Sequence, residues 1–266
     1  MFRTESLGFR TDLMLLALQG STITRQADYL VVTTPTNPEF HWGNFVLLDR
    51  PPSTGTAAGW AAQFARSFPG AEYLSIGIDG TDGAAGDTTD LAAAHLEATR
   101  SIVLTLSGQA PLRPSRPTSG ATFRRLDVAD DSDWVQALAL RQSNAADIEG
   151  YTKFATQRVG AMRALQRAEH GSWFGAFVGG TMVSGLGIFS DGSGTARYQS
   201  VDTHPDFRKR GLAGALVHAA GNYAIDHLAA TTLVIVADPD EPAIRLYRAL
   251  GFTGTEIQTQ LDRLTP

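Results

Sequence analysis

Cysteine is absent from this sequence. Its absence excludes disulfides, thiolate metal sites and a cysteine nucleophile. It suits a reducing compartment without requiring one. Long apolar runs are also missing. Leu13–Leu18 is the longest near the N-terminus, too short for a signal core or a membrane span. Nor is there an excess of positive charge. A net charge of −5 and a pI near 5.6 argue against a nucleic-acid binder held by net charge. No Gly-x-Gly-x-x-Gly opens a strand-turn-helix, so a dinucleotide fold is not expected. Asp79–Asp90 holds four aspartates and three glycines, but not at calcium-loop spacing, and reads as a solvated turn. The expectation is a soluble cytoplasmic protein, monomer or homodimer, with no metal, no nucleic acid and no membrane partner.

What is present is an ordinary apolar fraction, 43% of 266 residues, enough for one large or two small domains. The most informative stretch is Arg208-Lys209-Arg210-Gly211-Leu212-Ala213. It lies between a strand-like run, Arg197–Thr203, and a helical run, Leu212–Leu228, in which Leu212, Leu216, Ala219 and Tyr223 share a face. A basic glycine turn opening a helix is an anion site, because the first amides lack internal partners and the dipole adds positive charge. Gly211 allows close backbone approach, and Arg208 and Arg210 add fixed charge. Beyond it, Thr232–Val236 reads as a buried strand. Then Asp240 to Phe252 reads as a helix with Pro242 in its first turn and Gly251 at its stop.

Together these stretches resemble the GNAT superfamily of acyl-CoA-dependent N-acyltransferases. Arg208, Gly211 and Ala213 match its phosphate loop, Arg/Gln-x-x-Gly-x-Gly/Ala. Ala243, Leu246, Tyr247, Leu250, Gly251 and Phe252 match its next motif, Asn-x-x-Ala-x-x-Leu-Tyr-x-x-Leu-Gly-Phe. Asp240 stands where that family often has Asn. The match is specific over about residues 195–263. The resemblance implies an α/β fold with a mixed, mostly antiparallel twisted sheet flanked by helices. It also implies acetyl-CoA as co-substrate and an amine acceptor. The pantetheine arm would pair with main-chain groups near Val201, Asp202 and Thr203, and the pyrophosphate would sit on the amides of Lys209, Arg210, Gly211, Leu212 and Ala213. Tyr247 would be the general acid that protonates the departing thiolate. Its other reading is a core aromatic. Asp202, His204 and Glu149 are the candidate bases.

The rest of the chain reads as two halves. Strands at Tyr29–Thr33, Asn44–Leu48, Glu72–Ile78 and Ser101–Leu106, with helices at Thr56–Ser67 and from Asp87 or Thr88 to about Thr99, give a first half, 1–107. It lacks both motifs, so it resembles the degenerate N-terminal half of tandem GNAT proteins. Within it, Thr33–Phe45 packs Phe40, His41, Trp42 and Phe45 into one loop, either anchored by its aromatics or facing a substrate. Residues 108–121, rich in proline and glycine, read as a linker with a boundary near Pro114. The acyl-CoA-binding half then covers 122–266. It has a strand at Thr122–Leu126, a helix at Ser132–Ala145 capped by Asp131 or Ser132, and a helix at Tyr151–His170. A hairpin follows through Gly179-Gly180, and the last strand is Glu256–Asp262. Gly185 and Gly187 would leave room for a ligand. Two further functions stay open: a non-catalytic acyl-CoA sensor, and a tandem acyltransferase acting on a thiol-cofactor precursor or a protein amine.

Overall fold

The structure is a computed structural model and describes residues 3–108, 112–113, 118, 120–145 and 151–263. In chain order the elements are α1 (Leu7–Leu18), β1 (Thr22–Arg25), β2 (Tyr29–Thr33), β3 (Phe45–Leu48), α2 (Ala57–Ser67), β4 (Ser75–Ile78), α3 (Thr88–Ala93) and β5 (Glu97–Ser107). There follow β6 (Thr122–Arg125), α4 (Asp131–Ser143), α5 (Tyr151–Arg167), β7 (Gly171–Val178), β8 (Thr181–Phe189) and β9 (Thr195–Thr203). The chain ends with α6 (Leu212–His227), β10 (Thr232–Ala237), α7 (Ala243–Ala249) and β11 (Thr253–Asp262).

The chain forms two compact units, and the division is not one cut in the sequence. The first unit comprises Met1–Val103, Val236–Glu241 and Gly254–Pro266, and the second Leu104–Ile235 and Pro242–Thr253.

The first unit carries the strand order β1-β2-β3-β4-β11-β5. β3 and β4 pair in parallel, and the pairs β1–β2, β2–β3 and β4–β11 are antiparallel. Every residue of β3 and β4 is buried; β3 is apolar throughout, and the one polar side chain of β4, Ser75, accepts from Gln260 Nε2. Val46, Leu48, Phe64, Ile76, Ile78 and Leu261 lie in one core cluster. α1 is missing from the sequence reading. Its buried Phe9, Leu13 and Leu16 do recur at helical spacing, so the signal was present. Its start is fixed over long range. Asp79 accepts from the Glu5 and Ser6 amides at 2.7 and 2.9 Å, and Glu256 accepts from the Leu7 amide at 2.8 Å. Carboxylates at a helix N-terminus complement its dipole.

That geometry corrects the reading of Asp79–Asp90 as a solvated turn. Asp79 is buried, Asp87 caps α3 through the Thr89 and Asp90 amides, and Asp90 accepts from the Ala57 amide at 3.0 Å. α3 stops well short of Thr99 because His95 adopts a left-handed φ of 55°, and strand β5 begins at Glu97 instead. The 33–45 loop is anchored by its aromatics except Trp42: Phe40 and Phe45 are buried, His41 stacks on Tyr73 at 3.8 Å between ring centroids, and Trp42 is 64% exposed. Asn44 adds to this, accepting from the Thr34 amide and donating to the Asn37 and Phe40 carbonyls.

The second unit carries the order β5-β10-β9-β8-β7-β6, antiparallel throughout β6–β9 and parallel at β9–β10. Its sheet is therefore mixed and mostly antiparallel, with helices packed on it, as expected. The β7–β8 hairpin turns at Gly179 and Gly180, whose φ values of 57° and 85° suit a two-residue hairpin loop. α4 and α5 pack on each other and on β8 and β7, and α6 packs across β7, β8 and β9. The buried face of α6 is Leu212, Leu216, Val217, Ala220, Gly221 and Ala224. Ala219 and Tyr223, expected on that face, are only half-buried. The N-cap of α4 is Asp130, one residue before the expected candidates, and accepts from the Ser132 amide. Within the expected linker, 109–111, 114–117 and 119, hence also the boundary at Pro114, lie outside the described residues. Gly108 and Arg113 belong to the second unit, donating to the Thr231 and Leu250 carbonyls at 2.7 and 3.1 Å.

Candidate active site

The second unit's sheet opens along β9. Its parallel ladder with β10 runs from Thr195↔Thr232 to Arg197↔Val234, and β9 then continues to Thr203. On the other edge, Gly185 faces Asp202 and Gly187 faces Gln199, so β9 carries one extra residue there. Ser200 takes a left-handed φ of 52° within this bulge. A bulge bends its strand and increases local twist. The result is a half-buried stretch, Gln199–Thr203, beyond the β10 ladder and able to pair with an extended ligand.

The chain leaves β9 through a short turn, Pro205–Phe207, capped by His204, and reaches the N-terminus of α6. Lys209 and Gly211 both have left-handed φ values, 64° and 81°, and Gly211 is the N-cap. Successive turns of this kind point main-chain N–H groups to one side. The N–H groups of Lys209 through Gly214 make no hydrogen bond to a described residue. The flanking arginines are tied locally. Arg208 donates to Asn144 Oδ1 at 2.7 Å and Thr203 O at 3.3 Å, and Arg210 donates to Asp206 O and lies over Phe207.

The second motif has a geometric explanation. At the end of α7 the Gly251 amide donates to Arg248 O and the Phe252 amide donates to Tyr247 O, both at 3.1 Å. Gly251 has φ 109°. This is a Schellman cap, which takes glycine at its left-handed position and an apolar contact across it. Phe252 supplies that contact, edge-on to Tyr247 at 6.5 Å between ring centroids and to Tyr198 at 5.9 Å. Tyr247 is consequently buried, 4% exposed. Tyr198 donates to Val217 O at 2.8 Å, and burial, reinforced by nearby Tyr247, pushes its phenol well above the usual range.

Asp202 sits on the bulge. Its carboxylate meets Arg141 Nη1, from the last turn of α4, at 3.2 Å. Burial raises its pKa, and Arg141 and Arg208 oppose the shift. Its hydrogen-bond partner is a side chain and not a backbone amide.

Residues 137–252 match the model of the acetyltransferase (GNAT) family. The chain carries a GNAT domain.

Solved structures of similar fold agree in architecture. A functionally unknown conserved protein from Staphylococcus epidermidis superposes with a TM-score of 0.69 at 12% identity, over 90% of this chain and 92% of that one. A GCN5-related N-acetyltransferase from Kribbella flavida gives 0.67 at 17%, over 98% and 97%. A tandem GNAT protein from the clavulanic acid biosynthesis pathway gives 0.58 at 14%, over 96% and 93%. At these identities the likeness is one of fold. No curated protein matches the sequence.

Other expected site residues of the GNAT domain fall as follows. His204 is a turn residue whose Nδ1 accepts from the Asp206 amide at 3.3 Å. Glu149 lies outside the described residues. Asp240 is exposed in the turn before α7, its amide bonded to Asp238 Oδ1, and groups with the first unit. Gly185 and Gly187 do not leave room for a ligand. A Cβ at Gly185 would meet Met182 Cε at 2.4 Å, and one at Gly187 would meet Phe189 Cε2 at 2.5 Å. These glycines serve packing. Arg141 and the Ser200 bulge went unread, since neither a helical arginine nor a serine in a strand carries a local signal. Among the described residues no group of three or more His, Asp or Glu could hold a metal ion, and no helix is long and apolar enough to cross a membrane.

The first unit differs at its own parallel pair. β3 and β4 stay paired through Leu48↔Ile78, and the Asp79 amide adds a bond to Leu48 O at 2.8 Å. The cavity beyond them, about 270 Å³, is lined by Glu5, Asp49, Asp79 and Asp82, with Arg50 paired to Asp49. Strands that do not part and an acidic lining are unsuited to a pyrophosphate.

Proposed function

We propose that the protein is a cytoplasmic N-acetyltransferase that passes an acetyl group from acetyl-CoA to the primary amine of a small molecule, by direct attack in a ternary complex. Membership of an acetyltransferase family supports acyl transfer as the class of chemistry. The observation that carries the finer reading is the run of open amides, Lys209 to Gly214, at the head of α6 beside the unpaired edge of β9. We assign acyl-CoA binding to the second unit and read the first as a degenerate GNAT-like half.

In this reading the amides of Lys209–Ala213 hold the pyrophosphate, with Arg208 and Arg210 adding positive charge. Main-chain groups of Val201, Asp202 and Thr203 pair with the pantetheine arm, and one amide there stabilises the developing oxyanion. Acyl-CoA supplies an activated thioester. The chain's task is to accept a proton from the amine and give one to the sulfur. We take Asp202 as the base, since burial makes its carboxylate a stronger proton acceptor. Tyr247 is the proton donor, its phenol hydroxyl serving the departing thiolate.

The second reading is a non-catalytic acyl-CoA sensor, favoured by the burial of Tyr247. One experiment separates the two: calorimetry with acetyl-CoA and CoA, then free-thiol release against a panel of amines. Binding with amine-dependent thiol release is the expected result. Binding without release for any amine supports the sensor, and no acyl-CoA binding refutes both.

A further inference from the structure

We infer that the acceptor is an α-amino acid or a close analogue, an amine with a carboxylate one or two bonds away, held jointly by Asp202 and Arg141. This rests on the acyl-transfer reading and narrows it.

The chain shows what a closed arginine–aspartate pair looks like. Arg124 gives both terminal nitrogens to Asp133, each at 2.6 Å to a separate oxygen, and the Asp127 amide adds a third bond at 2.8 Å. Arg141 and Asp202 are not closed in this way. A single contact of 3.2 Å joins them, and no other hydrogen bond to a described residue reaches either group. Arg141 Nε is buried with no partner at all. Both side chains keep an exposed edge, 16% for Arg141 and 21% for Asp202. A guanidinium offers five N–H donors in a fixed fork and a carboxylate about four acceptor sites, so most of the capacity of both groups is unused.

A ligand with an amine beside a carboxylate uses both groups together. The amine meets the Asp202 carboxylate, and the carboxylate meets the free edge of the Arg141 fork, which favours two-point contact with carboxylates. A simple alkylamine would leave Arg141 open. Because the two protein groups touch, the ligand's charges must also be close, which favours α-amino acids over long ω-amino acids. The surrounding charge agrees. Arg208 acts on Asp202 from the phosphate loop. Two arginines beside one carboxylate leave an excess of positive charge for an incoming anion. The position agrees as well, since Asp202 lies on the part of β9 assigned to the pantetheine arm, where the amine must arrive.

The test uses the full chain with acetyl-CoA and matched pairs: each proteinogenic amino acid against its carboxamide, read as free-thiol release. For the best substrates kcat/KM should favour the acid over the amide by at least tenfold. Arg141→Gln should raise KM for the acid at least tenfold and erase the preference, with the CoA dissociation constant within twofold and the fold verified by melting temperature. Arg141→Lys keeps the charge but not the fork and should fall between. Equal or better turnover of amides overturns the inference, as does a preference that survives Arg141→Gln. If acetyl-CoA binds and simple amines are acetylated while no amino acid is, the inference fails and the acyl-transfer reading stands. If acyl-CoA does not bind, both fail.

Discussion

Gly211→Asp tests the phosphate loop without dismantling it. Gly211 is the N-cap of α6 with φ 81° and ψ 0°. A residue with a Cβ pays roughly 1–2 kcal/mol there, with aspartate among the best tolerated. The new carboxylate lies at a helix N-terminus and recovers about 0.3–1 kcal/mol from the dipole. The net cost is on the order of 1 kcal/mol, or about 2–4 °C in Tm for a chain of this size. Binding should suffer far more. The carboxylate occupies the place of two phosphates and opposes their charge. Losing two charge-assisted hydrogen bonds at about 1.5–3 kcal/mol each amounts to about 3–6 kcal/mol. At about 1.4 kcal/mol per decade, the CoA dissociation constant rises by about 10²–10⁴. Gly211→Ala carries the backbone strain without the charge, so it should lose less affinity than Gly211→Asp. Calorimetry with CoA and a melting curve on one preparation measure both effects. Unchanged affinity in a folded Gly211→Asp protein would mean that the phosphates bind elsewhere.

Tyr247→Phe removes one oxygen and leaves the packing on Phe252, so CoA affinity should hold within a few-fold while kcat falls by about 10²–10⁴. Lower melting temperature with full turnover per folded molecule would instead make Tyr247 a core aromatic. Asp202 has its folded pKa raised by burial, so the folded chain holds this proton more tightly than the unfolded one. Its contribution to stability is full below about pH 4, the ordinary carboxyl range, and is lost as pH rises through the raised folded value. Asp202→Asn should therefore show a shallower fall in Tm over that window than the parent, and parallel curves would contradict the burial argument. Asn44→Ala removes the bonds to Thr34, Asn37 and Phe40 and should cost about 2–4 kcal/mol in denaturant unfolding, at about 1 kcal/mol per bond. CoA affinity should not change, since Asn44 belongs to the first unit.

What the sequence disclosed was local. Gly179-Gly180 announces a hairpin, and the glycines at 211 and 251 sit at left-handed positions that few other residues accept. The run Leu-Tyr-x-x-Leu-Gly-Phe is legible because a helix cap and its apolar contact are written within a few residues. What stayed hidden depends on partners far along the chain. α1 is capped by Asp79 and Glu256, and Asp202 is matched by Arg141 from another element. Gly185 and Gly187 misled because small residues give the same signal whether a ligand or a neighbouring side chain fills the space. Here the neighbours are Met182 and Phe189.

The placement of β11 sets an order of events during synthesis. This strand is made long after β4 and β5, yet it lies between them in the sheet of the first unit. Until it arrives, the wholly buried β4 lacks its antiparallel partner, and the α1 N-terminus lacks Glu256. The first unit is thus begun first and finished last. A stop codon just before Thr253 would remove no residue assigned here to acyl transfer. It would nevertheless leave an apolar strand edge of the kind that recruits other chains. Such a truncated chain should reach the aggregate fraction before its chemistry could be assayed, and any division of the protein for separate expression must carry this strand with the half that precedes it.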